Sequence, residues 1–162
     1  MKLVFGNKNA NLKISIITSP FCGHCEEPYN MLKVIEKMYG ETLQISLFYN
    51  ISKNDSWLVR FVSILIKKHL KNKNDYYDAV DYWYKVKDGD IWLKNHDISD
   101  DTSVNDYSEE LFRNSNFFLK NNLNFTPCLF INGYKYPKGY EIKELPYLIE
   151  ELIEDFNKKE TN

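Results

Sequence analysis

The stretch LKISIITSPFCGHCEEPYNMLKVIEKMYG at residues 12–40 decides the fold, because it joins a strand, a turn and a helix in that order. Residues 13–18 are short, apolar and rich in isoleucine, which is typical of a buried strand. Ser19 and Pro20 end that strand. From Cys25 onward, apolar residues recur at helical spacing until Gly40, at Tyr29, Leu32, Ile35, Met38 and Tyr39. The segment therefore predicts a strand followed closely by a helix.

Two cysteines, Cys22 and Cys25, lie where this helix is expected to start. There the unpaired backbone N–H groups and the positive end of the helix dipole stabilise a thiolate at Cys22. Cys25, one turn further along, is expected to be more buried and to keep its proton longer. A disulfide across this short spacing is strained and exposed, and such bonds are the reactive ones. The motif therefore predicts a redox-active pair with Cys22 as the nucleophile.

A Cys-x-x-Cys motif also occurs in haem and metal sites. Haem attachment requires a histidine directly after the second cysteine, where this chain has Glu26. A structural zinc site usually takes a second pair of ligands, and the remaining candidates are not spaced as a pair: His24, His69, His96 and Cys128. No metal or organic cofactor is therefore expected, although a metal- or cluster-binding module built from Cys22, Cys25 and Cys128 stays open as the alternative. In the redox interpretation, Cys128 is simply a small buried residue of a strand.

The composition is that of an ordinary globular protein. The 162 residues are 43% hydrophobic and 27% charged, which suits one domain over residues 1–162. A formal net charge of −2 gives no basic excess to neutralise phosphates, so nucleic acid is not an expected partner. No apolar run approaches the length of a membrane helix, and the first five residues are too few and too soon polar for a secretory signal.

Beyond the first helix, strand patterns frame a long helical stretch. Residues 43–51 predict a second apolar strand, and no strand pattern follows until residue 127. Asn132-Gly133 is a strong hairpin signal between residues 127–132 and 134–137. Helical spacing marks five further segments: residues 57–70, 75–86, 91–95, 106–122 and a last helix carrying Leu145, Leu148, Ile149, Leu152, Ile153 and Phe156. The predicted order is βαβ, helices, ββα, and the aromatic residues of the central helices are expected to fill a core.

Two motifs near the ends of the chain resemble the DsbA-like branch of the thioredoxin superfamily, over essentially the whole length. They are SPFCGHC at residues 19–25 and TPCLFINGYKYPKGY at residues 126–140. The resemblance implies an α/β thioredoxin fold in a single domain, with a helical insertion at about residues 52–105 between the βαβ and ββα halves. The second motif is also similar to the thioredoxin domain fused to bacterial vitamin K epoxide reductase-like membrane proteins. Gly23-His24 is the dipeptide found in protein disulfide isomerases.

The same resemblance implies a function and a set of site residues. The function is that of a protein thiol–disulfide oxidoreductase in the oxidase or isomerase direction, with a dedicated cytosolic disulfide reductase as the alternative. The second motif begins with a Thr-Pro pair that resembles the family's cis-proline loop. Taken together, the motifs imply catalysis by Cys22 and Cys25, tuning of the reduction potential by Gly23 and His24, and substrate binding by Thr126 and Pro127.

Partners and location follow from the resemblance in the same way. The expected substrates are proteins that carry thiols or disulfides. Electrons then pass to or from a second protein, for which the resemblance implies a membrane partner of the vitamin K epoxide reductase-like type. The expected location is extracytoplasmic, facing the periplasm or the cell envelope.

Two residues depart from the family pattern. Many relatives carry a buried acidic residue six positions before the first cysteine, where it helps to deprotonate the second one, and this chain has Ile16 there. The proton of Cys25 would then pass to water, Glu26, Glu27 or another carboxylate. Pro28, early in the helix, is expected to remove one backbone hydrogen bond and to loosen the first turns.

Overall fold

The computed structural model of the protein describes residues 1–52, 55–96, 107–137 and 139–160. Within these residues it has five strands and six helices, in an α/β arrangement. The strands are β1 Leu3–Gly6, β2 Leu12–Thr18, β3 Leu43–Tyr49, β4 Cys128–Ile131 and β5 Tyr134–Lys135. The helices are α1 Glu26–Tyr39, α2 Ser56–Lys71, α3 Lys73–Val86, α4 Gly89–His96, α5 Ser108–Lys120 and α6 Leu145–Glu160, and a 3₁₀ turn at Ile142–Glu144 precedes α6.

The strands form one sheet in the order β1-β3-β2-β4-β5. Strand β4 runs antiparallel to both β2 and β5. In the β2–β4 register, Ile17 at the end of β2 lies opposite Cys128 at the start of β4. This pairing brings together the loop that follows β2 and the loop that precedes β4, which are more than a hundred residues apart in sequence.

The sheet and two of the helices form one compact unit, which comprises Lys2–Phe48 and Phe125–Asn162. Helix α1 buries Tyr29, Leu32 and Ile35 and contacts both α6 and β1. Leu145 and Ile149 of α6 are fully buried, as the helical stripe in the sequence predicts. The cysteine motif lies within this unit, between β2 and α1.

The second unit, Tyr49–Asn124 together with Met1, contains helices α2 to α5. Its core is aromatic: the Phe61 and Trp92 ring centroids are 3.9 Å apart, and Trp83 packs edge-on against Phe61. The indole Nε1 of the fully buried Trp92 donates a hydrogen bond to the Ala79 carbonyl at 2.8 Å, so its polar atom is satisfied. The expectation that the aromatic residues of this stretch fill a core is confirmed in part, because Tyr76, Trp83 and Trp92 are buried whereas Tyr82 and Tyr84 remain partly exposed.

The helical unit and the predicted insertion have different limits. The unit includes α5, which the sequence analysis placed after an insertion at about residues 52–105. Residues 97–105 of that predicted insertion lie outside the described residues. That the whole chain is one domain stays a prediction.

Strand β1 was not predicted from the sequence. It pairs antiparallel with β3, where Leu3 lies opposite Leu47 and Phe5 opposite Ile45. Leu3 and Phe5 are both buried, so a strand of only four residues is enough to cover the edge of β3. Gly6 ends the strand at φ +72°, a backbone conformation that favours glycine.

The hairpin between β4 and β5 has the turn that its sequence predicts. Asn132 and Gly133 both have positive φ angles, of 48° and 85°. This is the combination that a two-residue type I′ hairpin requires. In the part of the chain that the structure describes, no helix is long and apolar enough to cross a membrane.

Candidate active site

The cysteine motif forms the last turn before helix α1. Helix α1 begins at Glu26, and Cys25 is its N-cap. The Cys25 N–H donates to the Cys22 carbonyl at 3.1 Å, and the Tyr29 N–H donates to the Cys25 carbonyl at 3.1 Å. The expectation that the cysteine motif lies at the N-terminus of the helix is confirmed, although Cys22 precedes the first helical turn. The reason is that Cys22–Cys25 form a turn of their own, and Cys25 carries the first helical acceptor.

The two thiols differ sharply in exposure. Cys22 is half-buried, whereas Cys25 has 0% of its surface exposed, and both are free thiols. The expectation that Cys25 is the more buried of the two is confirmed. A reagent or a protein that approaches this surface reaches the sulfur of Cys22 first.

The loop before β4 reaches the cysteine turn. The Thr126–Pro127 peptide bond is cis, as the sequence resemblance implies. The Cys22 thiol donates a hydrogen bond to the Thr126 carbonyl, with 3.2 Å between Sγ and O. The β2–β4 register explains this contact, because it places the two loops at the same end of paired strands. Cys22, Cys25 and Thr126, which the sequence analysis nominated separately, thus meet at one place.

The environment of Cys25 favours the protonated form of its thiol. Burial, and after it a hydrogen bond with Cys22, raises the pKa of Cys25 to about 11. Hydrogen bonds from the Thr18 hydroxyl and the Ser19 backbone N–H act in the opposite direction, because they stabilise the thiolate. Thr18 is the last residue of β2 and is only 6% exposed.

No sequence motif marks Thr18. Thr18 could have been recognised as a polar residue at a strand position where the alternation of side chains predicts an apolar one. Thr18 follows Ile14 and Ile16 on the same face of β2, and both isoleucines are buried. Ile16, where relatives carry an acidic residue, is 1% exposed and offers no hydrogen-bonding group.

Gly23 and His24 form the exposed tip of the cysteine turn. They open onto a cleft of about 530 Å³ along the outer surface of α1. The cleft has carboxylates at the cysteine end and apolar side chains further along, and its lining includes Glu26, Glu27, Met31 and Val34.

Pro28 does not have the effect that the sequence predicted. It is the third residue of α1, and the first four N–H groups of a helix have no partner within the helix. The first helical hydrogen bond is donated by Tyr29, one residue later. Pro28 therefore removes no hydrogen bond from α1. The prediction placed the helix start at the cysteines, and the actual start at Glu26 moves Pro28 into the permitted first turn.

Cys128 lies in β4 directly after Pro127 and is 2% exposed. Burial raises the pKa of its thiol. It is thus a small buried strand residue, as the redox interpretation of the sequence expects. Among the described residues, no three histidine, cysteine or carboxylate side chains converge in a way that could hold a metal ion.

Comparison with known proteins assigns the chain to a family and a fold. A family model described as thioredoxin matches residues 1–151. No curated protein matches the sequence significantly.

Solved structures with the same fold are distant in sequence. α-DsbA1 of Wolbachia pipientis superposes with a TM-score of 0.71 at 16% identity, covering 98% of this chain and 94% of that one. Oxidised BdbD of Bacillus subtilis gives a TM-score of 0.67 at 11% identity, with coverage of 94% and 93%. A periplasmic thioredoxin-like protein of Salmonella enterica serovar Typhimurium gives 0.72 at 14% identity, with coverage of 94% and 90%. These similarities show a DsbA-like thioredoxin fold.

Proposed function

The chain belongs to the thioredoxin family, and from that premise we propose that it is a protein thiol–disulfide oxidoreductase whose redox-active pair is Cys22 and Cys25. One observation carries the proposal. The half-buried Cys22 sulfur lies 3.2 Å from the Thr126 carbonyl oxygen, whereas Cys25, three residues later, has none of its surface exposed. This asymmetry separates a thiol that meets substrates from a thiol that acts only after Cys22 has reacted.

The proposed reaction consists of two exchanges. The Cys22 thiolate attacks a substrate disulfide, so that a Cys22–substrate disulfide forms and one substrate thiolate leaves. The Cys25 thiolate then attacks the Cys22 sulfur, which forms the Cys22–Cys25 disulfide and releases the second substrate thiolate. The substrate gains two electrons and the cysteine pair loses two. In the oxidising direction the same steps run backwards, and Cys25 is the leaving group.

Thr126 and Pro127 are proposed to hold the substrate chain. The Thr126 carbonyl accepts a hydrogen bond from the Cys22 thiol in the reduced protein. Once Cys22 is bonded to a substrate sulfur, it no longer has a proton to donate. The carbonyl then becomes an acceptor for a backbone N–H of the substrate segment next to its cysteine. This arrangement aligns the substrate without reading its side chains, which suits an enzyme that acts on many proteins.

The proposed direction is that of an oxidase or isomerase. His24 lies in the turn that joins the two cysteines and supplies a donor or a positive charge beside the Cys22 thiolate. Stabilising the thiolate favours the reduced pair and makes the disulfide a stronger oxidant. Ile16 adds no negative charge that would oppose this. The reduction potential is therefore expected nearer the isomerase value of about −180 mV than the thioredoxin value of about −270 mV.

An extracytoplasmic location and a membrane redox partner complete the proposal. The similarity of TPCLFINGYKYPKGY to thioredoxin domains fused to vitamin K epoxide reductase-like proteins supports both. One protein of the same fold is described as periplasmic. In that location a disulfide-forming pair has oxidising surroundings in which its products persist.

Trapping of mixed disulfides tests the proposal. Cys25→Ser removes the resolving thiol, so it is expected to accumulate covalent complexes with substrate proteins, visible as bands that disappear on reduction. Cys22→Ser is expected to accumulate none, because the buried Cys25 does not reach a substrate. Cys128→Ser, with the pair intact, is the matched control and is expected to behave as the wild type. Equal trapping by the Cys22 and Cys25 variants would contradict the proposed division of roles.

A further inference from the structure

Phe125 is an exposed aromatic residue beside the reactive thiol. It directly precedes Thr126, whose carbonyl oxygen lies 3.2 Å from the Cys22 sulfur. Phe125 is 44% exposed, which is unusual for a phenylalanine that has a large apolar surface to bury. In the proposed reaction the substrate chain binds at the Thr126 carbonyl, so it passes next to the Phe125 ring.

The ammonium group of Lys135 lies over this ring. Its Nζ is 4.3 Å from the centroid of the Phe125 ring, which is within the range of a cation–π contact. Lys135 is exposed, and no carboxylate of the described residues forms an ion pair with it. The described part of the chain therefore leaves its positive charge available to a molecule that approaches the Phe125 ring.

The pairing of β5 with β4 places Lys135 beside the loop that contacts Cys22. Lys135 lies opposite Phe130, and Cys128 is two residues before Phe130, so the three side chains share one face of the sheet. Burial raises the pKa of Cys128, and the positive charge of Lys135 lowers it. Cys128 directly follows Pro127. The charge of Lys135 therefore acts at the point where the loop joins β4.

We propose that Lys135, held over the Phe125 ring, is a specificity-determining residue: its ammonium group favours substrate proteins with an acidic side chain next to the reacting cysteine. The inference rests on the proposed oxidoreductase function, in which the substrate chain lies along the Thr126 carbonyl. A side chain next to the substrate cysteine then comes close to Phe125 and Lys135. Two opposite charges about 4 Å apart in water attract each other enough to change a rate or binding constant about fivefold.

Short peptide disulfides test this preference directly. Each is a disulfide-linked dimer of an end-blocked peptide with the sequence Ala-X-Cys-X-Ala, in which X is Asp, Asn or Lys. Reaction with the reduced protein yields the Cys22–Cys25 disulfide and two peptide thiols, and mass spectrometry after acid quenching gives the rate. Each rate is divided by the rate with the Asn peptide, which removes any effect of Lys135 on the reactivity of Cys22. Comparison between protein variants then cancels the different reactivities of the peptides themselves.

The ratio of the rates with the Asp and Lys peptides is the quantity that Lys135 is expected to set. Lys135→Gln removes the charge and is expected to lower this ratio about fivefold or more. Lys135→Glu is expected to lower it further, whereas Lys135→Arg is expected to restore it, because an arginine also binds over an aromatic ring. A high salt concentration is expected to lower the ratio in the wild type more than in Lys135→Gln, because salt screens exposed charges.

Lys37→Gln is the matched control. It removes a lysine charge from the last turn of α1, about 18 Å along the helix from Cys25. This distance exceeds the range over which exposed charges interact at physiological salt, about 8 Å. The ratio for Lys37→Gln is therefore expected to equal that of the wild type.

The outcomes separate this inference from the proposed function. If Lys135→Gln slows all three peptides by the same factor, or changes none of the rates, Lys135 does not select substrates and the inference is wrong. The inference is also wrong if Lys37→Gln lowers the ratio as much as Lys135→Gln, because the preference then reflects net charge. If no peptide disulfide oxidises the wild-type pair, the oxidoreductase assignment itself is wrong. Circular dichroism verifies the fold of each variant, and Lys135→Met provides the same comparison if the glutamine variant does not fold.

Discussion

The burial of Cys25 predicts that the reduced protein loses stability in mild alkali. In the folded protein, burial and the hydrogen bond with Cys22 raise the pKa of Cys25 to about 11. In the unfolded chain a cysteine loses its proton at a pH of about 8.5. Between these two pH values the unfolded chain releases a proton that the folded protein retains. Stability is therefore unaffected by Cys25 below the lower value and falls as the pH rises towards the higher one.

The size of this loss follows from the difference between the two pKa values. One pKa unit corresponds to about 1.4 kcal/mol, so Cys25 accounts for a loss of about 3 kcal/mol in the free energy of unfolding by pH 11. This is a substantial part of the stability of a typical domain, about 5–15 kcal/mol. Other groups also titrate in this range, and a comparison of variants is needed to isolate the contribution of Cys25.

Chemical unfolding of the reduced protein at a series of pH values provides that comparison. The serine in Cys25→Ser does not titrate, so the free energy of unfolding of this variant is expected to fall less steeply with pH than that of the wild type. The difference between the two losses is expected to reach about 3 kcal/mol by pH 11. Cys22→Ser keeps Cys25 but removes the neighbouring thiol that helps to raise its pKa, and an intermediate slope is expected. Parallel pH profiles for the wild type and Cys25→Ser would refute the reasoning, because Cys25 would then titrate at the same pH in both states.

Two further predictions concern the potential and the fold. His24→Pro removes the donor beside Cys22, so the reduction potential of the pair is expected to become more negative by tens of millivolts, since about 30 mV corresponds to 1.4 kcal/mol for a two-electron couple. Equilibration with glutathione buffers measures it, and an unchanged or less negative potential would mean that His24 does not tune the pair. Gly6→Ala introduces a Cβ at φ +72° that collides with the Leu43 carbonyl oxygen, and a loss of about 1–3 kcal/mol in stability is expected by chemical unfolding. Gly133→Ala also has positive φ but no atom near the new Cβ, so a smaller loss is expected there.

Much of the fold follows from patterns that are local in the sequence. The strand at residues 13–18 and the helix after it have the hydrophobic periodicities of their elements, and the structure has them as Leu12–Thr18 and Glu26–Tyr39. Strand β1 is different because its four residues are too few to show alternation. It forms because it pairs with β3, some forty residues away, and no pattern within its own four residues predicts that pairing. The exact start of α1 was also missed, because its N-cap is a cysteine with no side-chain cap hydrogen bond.

The residues of the candidate site that belong to a sequence motif could be predicted. The contacts between them that depend on how β2 pairs with β4 could not. Cys22, Cys25 and Thr126 were nominated from two short motifs in distant parts of the chain. The 3.2 Å contact between the Cys22 sulfur and the Thr126 carbonyl oxygen results from the antiparallel pairing of β2 with β4, which a single sequence does not reveal. Thr18 was missed because a threonine at the end of a strand is ordinary in sequence. Its side chain matters because it lowers the pKa of Cys25, an effect that no sequence pattern records.

In the proposed mechanism, the burial that raises the pKa of Cys25 also sets the order in which the two cysteines act. An exposed second thiol would compete with Cys22 for substrates. A second thiol that was buried without any hydrogen-bond donor near its sulfur would keep its proton. It could then not attack the mixed disulfide. In the proposed mechanism Cys25, with none of its surface exposed, is closed to substrates, and Thr18 and Ser19 lower its pKa against the larger effect of burial. In the proposed mechanism the loop before β4 therefore supplies the contact of the first step, at the Cys22 sulfur, and the burial of Cys25 reserves this thiol for the second step.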